Sequence, residues 1–164
     1  MTARKTWFIT GCDSGMGYAA AETVLEAGQR VFVTVRDADN VAALKQRFSD
    51  TAHVHVMDVT DAEQIRDVVA QAEAAGGIDV LLNNAGYGLL GAAEETVSEE
   101  YRPMFEVNFF GMAEVTRAVL PGMRLRRRGH IFCTSSSGGY AASPGFSFYA
   151  ASKFAMEGFC DALS

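Results

Sequence analysis

Five short apolar runs, each followed by a stretch of helical composition, restrict the folds open to this chain. The runs occupy positions 6–10, 30–35, 52–57, 78–82 and 130–134. They are apolar almost throughout rather than alternating, as strands covered on both faces are. Helical patterns fill the gaps. Positions 17–27 are rich in Ala, Glu and Leu and stop at Gly28. Positions 41–48 and 62–75 follow, the second ending at Gly76 and Gly77. A long pattern runs from about 98 to 127 and stops at Gly129, and the last begins near Ser147 and still runs at Ser164. Alternation of this kind predicts an α/β fold, a doubly wound parallel sheet with helices on both faces. No repeat or low-complexity linker interrupts it, so residues 1–164 are expected to form one domain. Right-handed crossovers bring every strand's carboxyl end to one edge of the sheet, where ligands bind in open α/β folds.

Composition narrows the function. With 49% hydrophobic and 21% charged residues among 164, the chain is ordinary globular material rather than disordered. No apolar run approaches the roughly 20 residues that span a bilayer, and the stretch after Arg4 and Lys5 is too short for a signal peptide. A net charge of −6 speaks against nucleic-acid binding, which wants a basic surface. Cys12, Cys133 and Cys160 form no CxxC pair. They point to buried thiols in a reducing compartment, and a cytoplasmic protein is expected. His53, His55 and His130 show no metal-ligand spacing, and no metal is expected.

The chemistry should sit where the strands end. The first strand runs into Thr10-Gly11-Cys12-Asp13-Ser14-Gly15-Met16-Gly17 and then a helix. Glycines there permit a tight turn and close approach of backbone to a pyrophosphate, with a helix N-terminus aimed at the anion. Turns collect glycine for other reasons, so the cluster alone is weak. The third strand ends in Asp58-Val59. Asp58 reads as a helix cap or as an acceptor for an adenine amino group, and spacing alone favours the cap. Asn83-Asn84-Ala85-Gly86 ends the fourth strand, either as a turn or as amides that lock neighbouring strands and line a cleft. Ser135-Ser136-Ser137-Gly138-Gly139 ends the fifth. Tyr149 and Lys153 then lie at i and i+4, on one face of the last helix. Taken alone, that is an ordinary Tyr packed on a Lys stem.

The combination is more specific. TGxxxGxG at 10–17, NNAG at 83–86, Asn108 within the long helix, a serine thirteen positions before the tyrosine (Ser136) and YxxxK at 149–153 make the chain resemble the short-chain dehydrogenase/reductase family over essentially its whole length. The segment around Tyr149 is especially similar to hydroxysteroid- and retinol-type members. The resemblance implies a Rossmann-like domain and a nicotinamide-dependent oxidoreductase acting on a secondary alcohol or ketone. It implies catalytic Asn108, Ser136, Tyr149 and Lys153, with Lys153 also touching the nicotinamide ribose and Asn108 holding a proton-relaying water. It implies a cofactor site built from Gly11, Asp13, Ser14, Gly15, Met16, Gly17, Arg36, Asp58, Val59, Asn84, Ala85, Gly86, Tyr149 and Lys153.

The residues support that chemistry directly. Free tyrosine, with a pKa of about 10, is a poor base at neutral pH. An ammonium one helical turn away favours its phenolate, and a group tuned toward the working pH serves general acid–base transfer. Asn108 either faces solvent or, with Val107, Phe109 and Phe110 around it, is a buried amide. The second strand ends in Val35 and Arg36 rather than in the acidic residue that binds a ribose diol. Arg36 can pair with a 2′-phosphate, so NADP(H) is favoured over NAD(H), with Asp13 and Asp37 opposing. Tyr140, Phe146, Phe148 and Met104 hint at an apolar substrate or belong to the core. Arg124, Arg126, Arg127 and Arg128 close one helical region while Glu94, Glu95, Glu99 and Glu100 open it, and both runs read as partners of the helix dipole.

A non-catalytic cofactor-binding sensor or scaffold on the same fold is the alternative. Retention of Asn108, Ser136, Tyr149 and Lys153 together favours the enzyme. The chain ends within the helix bearing Tyr149 and Lys153. The resemblance therefore implies that the C-terminal strands of the fold are missing and that the chain is part of a longer protein. The segment 131–134 would then be an open apolar edge that invites aggregation of the isolated chain. The resemblance implies a dimer interface on the long helix and the last helix. Phe154, Phe159 and Leu163 extend apolar surface there, so a homodimer or homotetramer is expected.

Overall fold

Neighbouring residues of the first strand bury against opposite layers, which is why its run is apolar without alternation. In a computed structural model that describes residues 4–163, strands β1 (Thr6–Ile9), β2 (Arg30–Val35), β3 (Ala52–Val56), β4 (Val80–Asn83) and β5 (His130–Cys133) form one parallel sheet in the order β3-β2-β1-β4-β5. The helices are α1 (Gly15–Glu26), α2 (Ala42–Arg47), α3 (Ala62–Ala74), α4 (Ser98–Phe105), α5 (Met112–Arg126) and α6 (Ser147–Asp161). Phe8 packs with Phe32, Leu81, Val69 of α3 and Val119 of α5. Ile9, the next residue, packs on the other face with Val33, Leu25 of α1 and Leu44 of α2. The direction of winding reverses between β1 and β4, and a crevice opens at the carboxyl ends of that pair.

Several element bounds differ from the sequence reading. The fourth run begins pairing at Val80 rather than Ile78, because Ile78 N–H is turned back to the Glu73 carboxylate. A 3₁₀ turn (Ala38–Val41) precedes α2. The long pattern at 98–127 is two α-helices joined by a π turn at Glu106–Gly111. There Gly111 lets the backbone approach the Val59 carbonyl, where a Cβ would stand 2.6 Å from that oxygen. The last helix stops at Asp161, and Ser164 lies outside the described residues. No helix among the described residues is long and apolar enough to cross a membrane.

The arginine run does more than complement a dipole. Arg126 makes a two-pronged ion pair with Glu73 of α3 and also donates to the Ile78 carbonyl at 2.9 Å. Arg128 pairs with Asp79 at 3.2 Å. These contacts clamp α5 to the entry of β4. Of the acidic run, Glu100 accepts from Val97 N–H at the start of α4.

Candidate active site and cofactor cleft

The turn after β1 is held by hydrogen bonds that reach across the crevice. Thr10 Oγ1 accepts from the Asn84 and Ala85 amides at 3.0 and 3.1 Å, and Asn84 Nδ2 donates to the Thr10 and Gly11 carbonyls at 3.0 Å each. Asn83, buried, donates instead to Thr116 of α5 and to the Cys133 thiol. The paired amides therefore tie three strands and a helix together. Gly11 has φ +68°, and a Cβ on it would come within 2.7 Å of Ala85 Cα. Gly17 lies beneath the turn against the Gly11 carbonyl and Asn84 Nδ2, where no side chain fits. Ser14 starts α1 without capping it through its side chain, and the first turn carries no acid. Its first amides thus have no intrahelical acceptor and, with the helix dipole, suit an anion.

A cavity of about 560 Å³ opens at that helix N-terminus. Gly11, Asp13, Ser14, Gly15, Met16, Arg36, Asp58, Val59, Asn84, Ala85 and Gly86 line it, joined by Val35, Met57, Tyr87 and Val107. Gly17 supports this wall from behind rather than lining it. At the β2 end, Asp13 Oδ1 accepts from the backbone amides of Arg36 and Asp37 at 2.9 and 3.2 Å. The Arg36 guanidinium is exposed and has no hydrogen-bond or ion-pair partner among the described residues. Asp58 is not the cap of α3. Asp61 takes that role, accepting from Glu63 and Gln64 amides, and the Gln64 bond above all holds its carboxyl below the usual range. Asp58 closes a turn on Thr60 N–H at 2.8 Å and forms part of the cavity wall.

Ser136, Tyr149 and Lys153 lie near one another, and none of them lines this cavity, including Tyr149 and Lys153 that the resemblance puts in the cofactor site. A Cβ placed on Gly138 would stand 3.5 Å from Ser136 Oγ and 3.6 Å from Tyr149 Cε1, so both flank the same glycine. Ser136 Oγ accepts from Gly138 N–H at 3.1 Å, leaving its own proton to donate elsewhere. Lys153 is 4% exposed. Its ammonium donates to the Thr134 carbonyl at 2.8 Å and lies 5.8 Å from the Tyr149 ring centre. Burial pushes the Lys153 pKa down, while nearby Cys133 and Glu157 pull the other way. A Cβ on Gly86 would stand 3.6 Å from Lys153 Nζ and 3.0 Å from Asn108 Oδ1, which places both groups at the Gly86 end of the cavity.

Asn108 is fully buried in the π turn, not solvated. Single π turns inserted in α-helices are frequent at functional sites. Thr10, Tyr87 and Ser152 belong to the same constellation and were not singled out from the sequence. Thr10 is the first letter of the glycine motif, and that position after β1 was the available signal. Of the proposed substrate contacts, Met104 is fully buried core. Phe148 stacks on Tyr101 at 4.2 Å. Phe146 stands edge-on to Tyr149 at 6.1 Å, and Tyr140 is 90% exposed.

Known proteins share this fold. The family model described as short chain dehydrogenase matches residues 5–164. A 3-ketodihydrosphingosine reductase of Bacteroides thetaiotaomicron is 40% identical over 158 residues, covering 95% of this chain and 56% of that protein. Human retinol dehydrogenase 8 is 37% identical over 169 residues, covering 99% and 54%. Among solved structures, a short-chain dehydrogenase from Streptomyces avermitilis superposes with a TM-score of 0.95 at 42% identity, over 98% of this chain and 60% of that one. An alcohol dehydrogenase from the archaeon Thermococcus sibiricus complexed with 5-hydroxy-NADP gives 0.91 at 27% identity, over 98% and 70%. The chain spans a little over half the length of the curated relatives it matches.

Proposed function

The chain belongs to the short chain dehydrogenase family of nicotinamide-dependent oxidoreductases, and from that premise we propose that the protein interconverts a secondary alcohol and its ketone using NADP(H). The observation that carries the reading is an uncapped helix N-terminus opening on a cavity whose Gly86 wall lies against Lys153 Nζ, with the Tyr149 ring near that ammonium and Ser136 beside Tyr149 at Gly138.

The residues present fit the cofactor. Orphan amides at the start of α1 face a cavity of suitable size and would hold the pyrophosphate. Asp58 and Val59, in the cavity wall, would hold the adenine, and Arg36, free of other partners, would grip a 2′-phosphate. Asp13 already accepts from two backbone amides, which tempers its repulsion of that phosphate. A nicotinamide held by these residues would supply hydride transfer. Tyr149 Oη gives or takes the proton of the substrate oxygen. Ser136 Oγ–H donates to that oxygen and orients it. Lys153 holds positive charge beside the tyrosine, and its remaining N–H groups are free for the ribose. The amide N–H groups of Asn108 are both engaged within the protein and its Oδ1 accepts from Tyr87 N–H, so a relay water would be held by the oxygen's second lone pair near Lys153 Nζ.

Tyr87 of the cavity wall is exposed, as are Leu90 and Tyr140 in the loops after β4 and β5, and this apolar surface supports a substrate with a sizeable apolar group. The reductase of ketodihydrosphingosine and the retinol dehydrogenase among the relatives act, by name, on molecules of that kind. Exposed Phe110 of the π turn and Phe154 of α6 support a homo-oligomer, and a monomer mass of the whole protein by light scattering would contradict that part.

The test is turnover of Tyr149→Phe, followed by nicotinamide absorbance against a panel of medium- and long-chain ketones. Loss of general acid–base transfer should lower the rate by about 10²–10⁴-fold. A variant that keeps most of the wild-type rate overturns the mechanism. Arg36→Ala should weaken NADP(H) relative to NAD(H) by about one to two decades, the equivalent of about 1.5–3 kcal/mol for a charge-assisted contact. An unchanged ratio removes the cofactor assignment.

A further inference from the structure

Ser152 sits between Tyr149 and Lys153 in sequence and is fully buried, yet the mechanism above does not use it. Its Oγ donates to the Tyr149 carbonyl at 2.7 Å and accepts from Asn108 Nδ2 at 3.2 Å. Asn108 in turn grips the backbone of Tyr87 in both directions. Nδ2 donates to the Tyr87 carbonyl, and Oδ1 accepts from the Tyr87 amide, each at 2.9 Å. Two side chains therefore link three separate segments: the cavity wall after β4, the π turn, and the turn of α6 that carries the tyrosine and lysine.

Helix propensity alone would favour alanine at this position, since a serine that bonds back to its own helix gains nothing for the helix. The hydroxyl matters because of the second bond. Without it, one Asn108 N–H loses its acceptor in a site with no exposure, and an unsatisfied buried donor is costly. Asn108 would then turn to seek another acceptor and release Tyr87.

We propose that Ser152 is a positioning residue, which acts through Asn108 to set the turn bearing Tyr149 and Lys153 against the Gly86–Tyr87 wall of the cofactor cavity. The proposal rests on the reading of Tyr149 as the proton-transfer group. It assigns Ser152 no contact with substrate or cofactor.

The experiment compares Ser152→Ala, Ser152→Thr and Tyr149→Phe in the whole protein. Turnover is measured with NADPH and acetophenone, NADPH affinity by its fluorescence, folding by thermal melting, and the Tyr87 amide by hydrogen exchange. Small misplacements of reacting groups lower rates steeply. Ser152→Ala should therefore lose about tenfold in kcat, with a clearly smaller change in the NADPH dissociation constant and in KM. Tyr87 amide exchange should accelerate by about the same factor, and Ser152→Thr, which keeps a hydroxyl, should restore both. An alanine variant with wild-type kcat, or with unchanged Tyr87 exchange, overturns the proposal. So does a kcat loss matched by an equal loss of NADPH affinity, which would mark a general collapse of the site. If Tyr149→Phe is as active as wild type, the proton-transfer reading fails and the positioning role fails with it. If Tyr149→Phe is dead while Ser152→Ala is normal, only the positioning role fails. Should acetophenone not be turned over, Tyr87 exchange decides the matter: unchanged exchange overturns the relay, and accelerated exchange reversed by threonine supports it.

Discussion

Replacing Thr10 by valine should destabilise the domain by removing one oxygen from the crevice. Thr10 is 1% exposed, and its Oγ1 is the acceptor for two backbone amides, those of Asn84 and Ala85, at 3.0 and 3.1 Å. Valine has nearly the same shape, so little packing is lost, but both amides are left without an acceptor. An unsatisfied buried donor costs about 1–3 kcal/mol, and these two are only partly buried. The low half of that range applies to each, which gives about 2–4 kcal/mol in total. For a domain of this size that corresponds to a fall in Tm of roughly 4–16 °C. Thr10→Ser keeps the acceptor and should lose only the methyl group's burial, about 1 kcal/mol. The assay is thermal melting of the three proteins side by side, with NADPH binding as a second readout. The valine variant should also bind NADPH more weakly, because Asn84 and the Gly11 turn form the cavity wall. A valine variant that melts with the wild type, or a serine variant that melts with the valine, refutes the assignment of Oγ1 as the clasp.

Gly86→Ala should reduce kcat several-fold at little cost in stability, because its Cβ would press to 3.0 Å from Asn108 Oδ1 beside Lys153 Nζ; an unchanged rate would show that this space is not used. Cys12 is fully buried, and burial pushes its thiol up to about 12, so iodoacetamide at pH 8 should label it only after unfolding. His53 and His55 of the edge strand β3 stack on Phe32. Burial lowers both pKa values below 6.5, helped by Arg30 for His53 and by His53 for His55. Their neutral forms are thus favoured by the fold, and the unfolded chain takes up protons first. The stability they contribute is complete above about pH 6.5, shrinks as pH falls through their lowered values, and is flat below them. The fall in Tm between pH 7 and 5 should be smaller for His55→Gln than for wild type, and parallel curves would contradict this.

Much of the architecture was readable in the chain because each strand covered on both faces leaves a continuous apolar run. Phe8 and Ile9 face opposite layers, and no alternation was needed to place them. The glycine turn was readable for a related reason: Gly17 lies where any side chain would collide with backbone. The sequence leaves the helix cap open among three residues. Asp58, Thr60 and Asp61 all satisfy the local rule, and only three-dimensional placement shows Asp61 bonding the first amides of α3 while Asp58 faces the cavity. Apolar character extends the β4 run to Ile78, because it does not report which acceptor an amide will find.

By itself, the sequence determined the layer order of α and β elements, the location of the glycine turn and the spacing of Tyr149 and Lys153 along one helix face. These follow from periodicity and from backbone conformations that only glycine takes easily, and both act between near neighbours in the chain. The tertiary structure decided the partners. It brought Thr10 beneath the Asn84 and Ala85 amides, buried Asn108 in a π turn, and joined it to Ser152 and Tyr87 across separations of 44 and 21 residues. Hydrogen bonds of that kind depend on which buried group lacks a partner once the layers have packed. That is a property of the assembled core, and no local pattern encodes it.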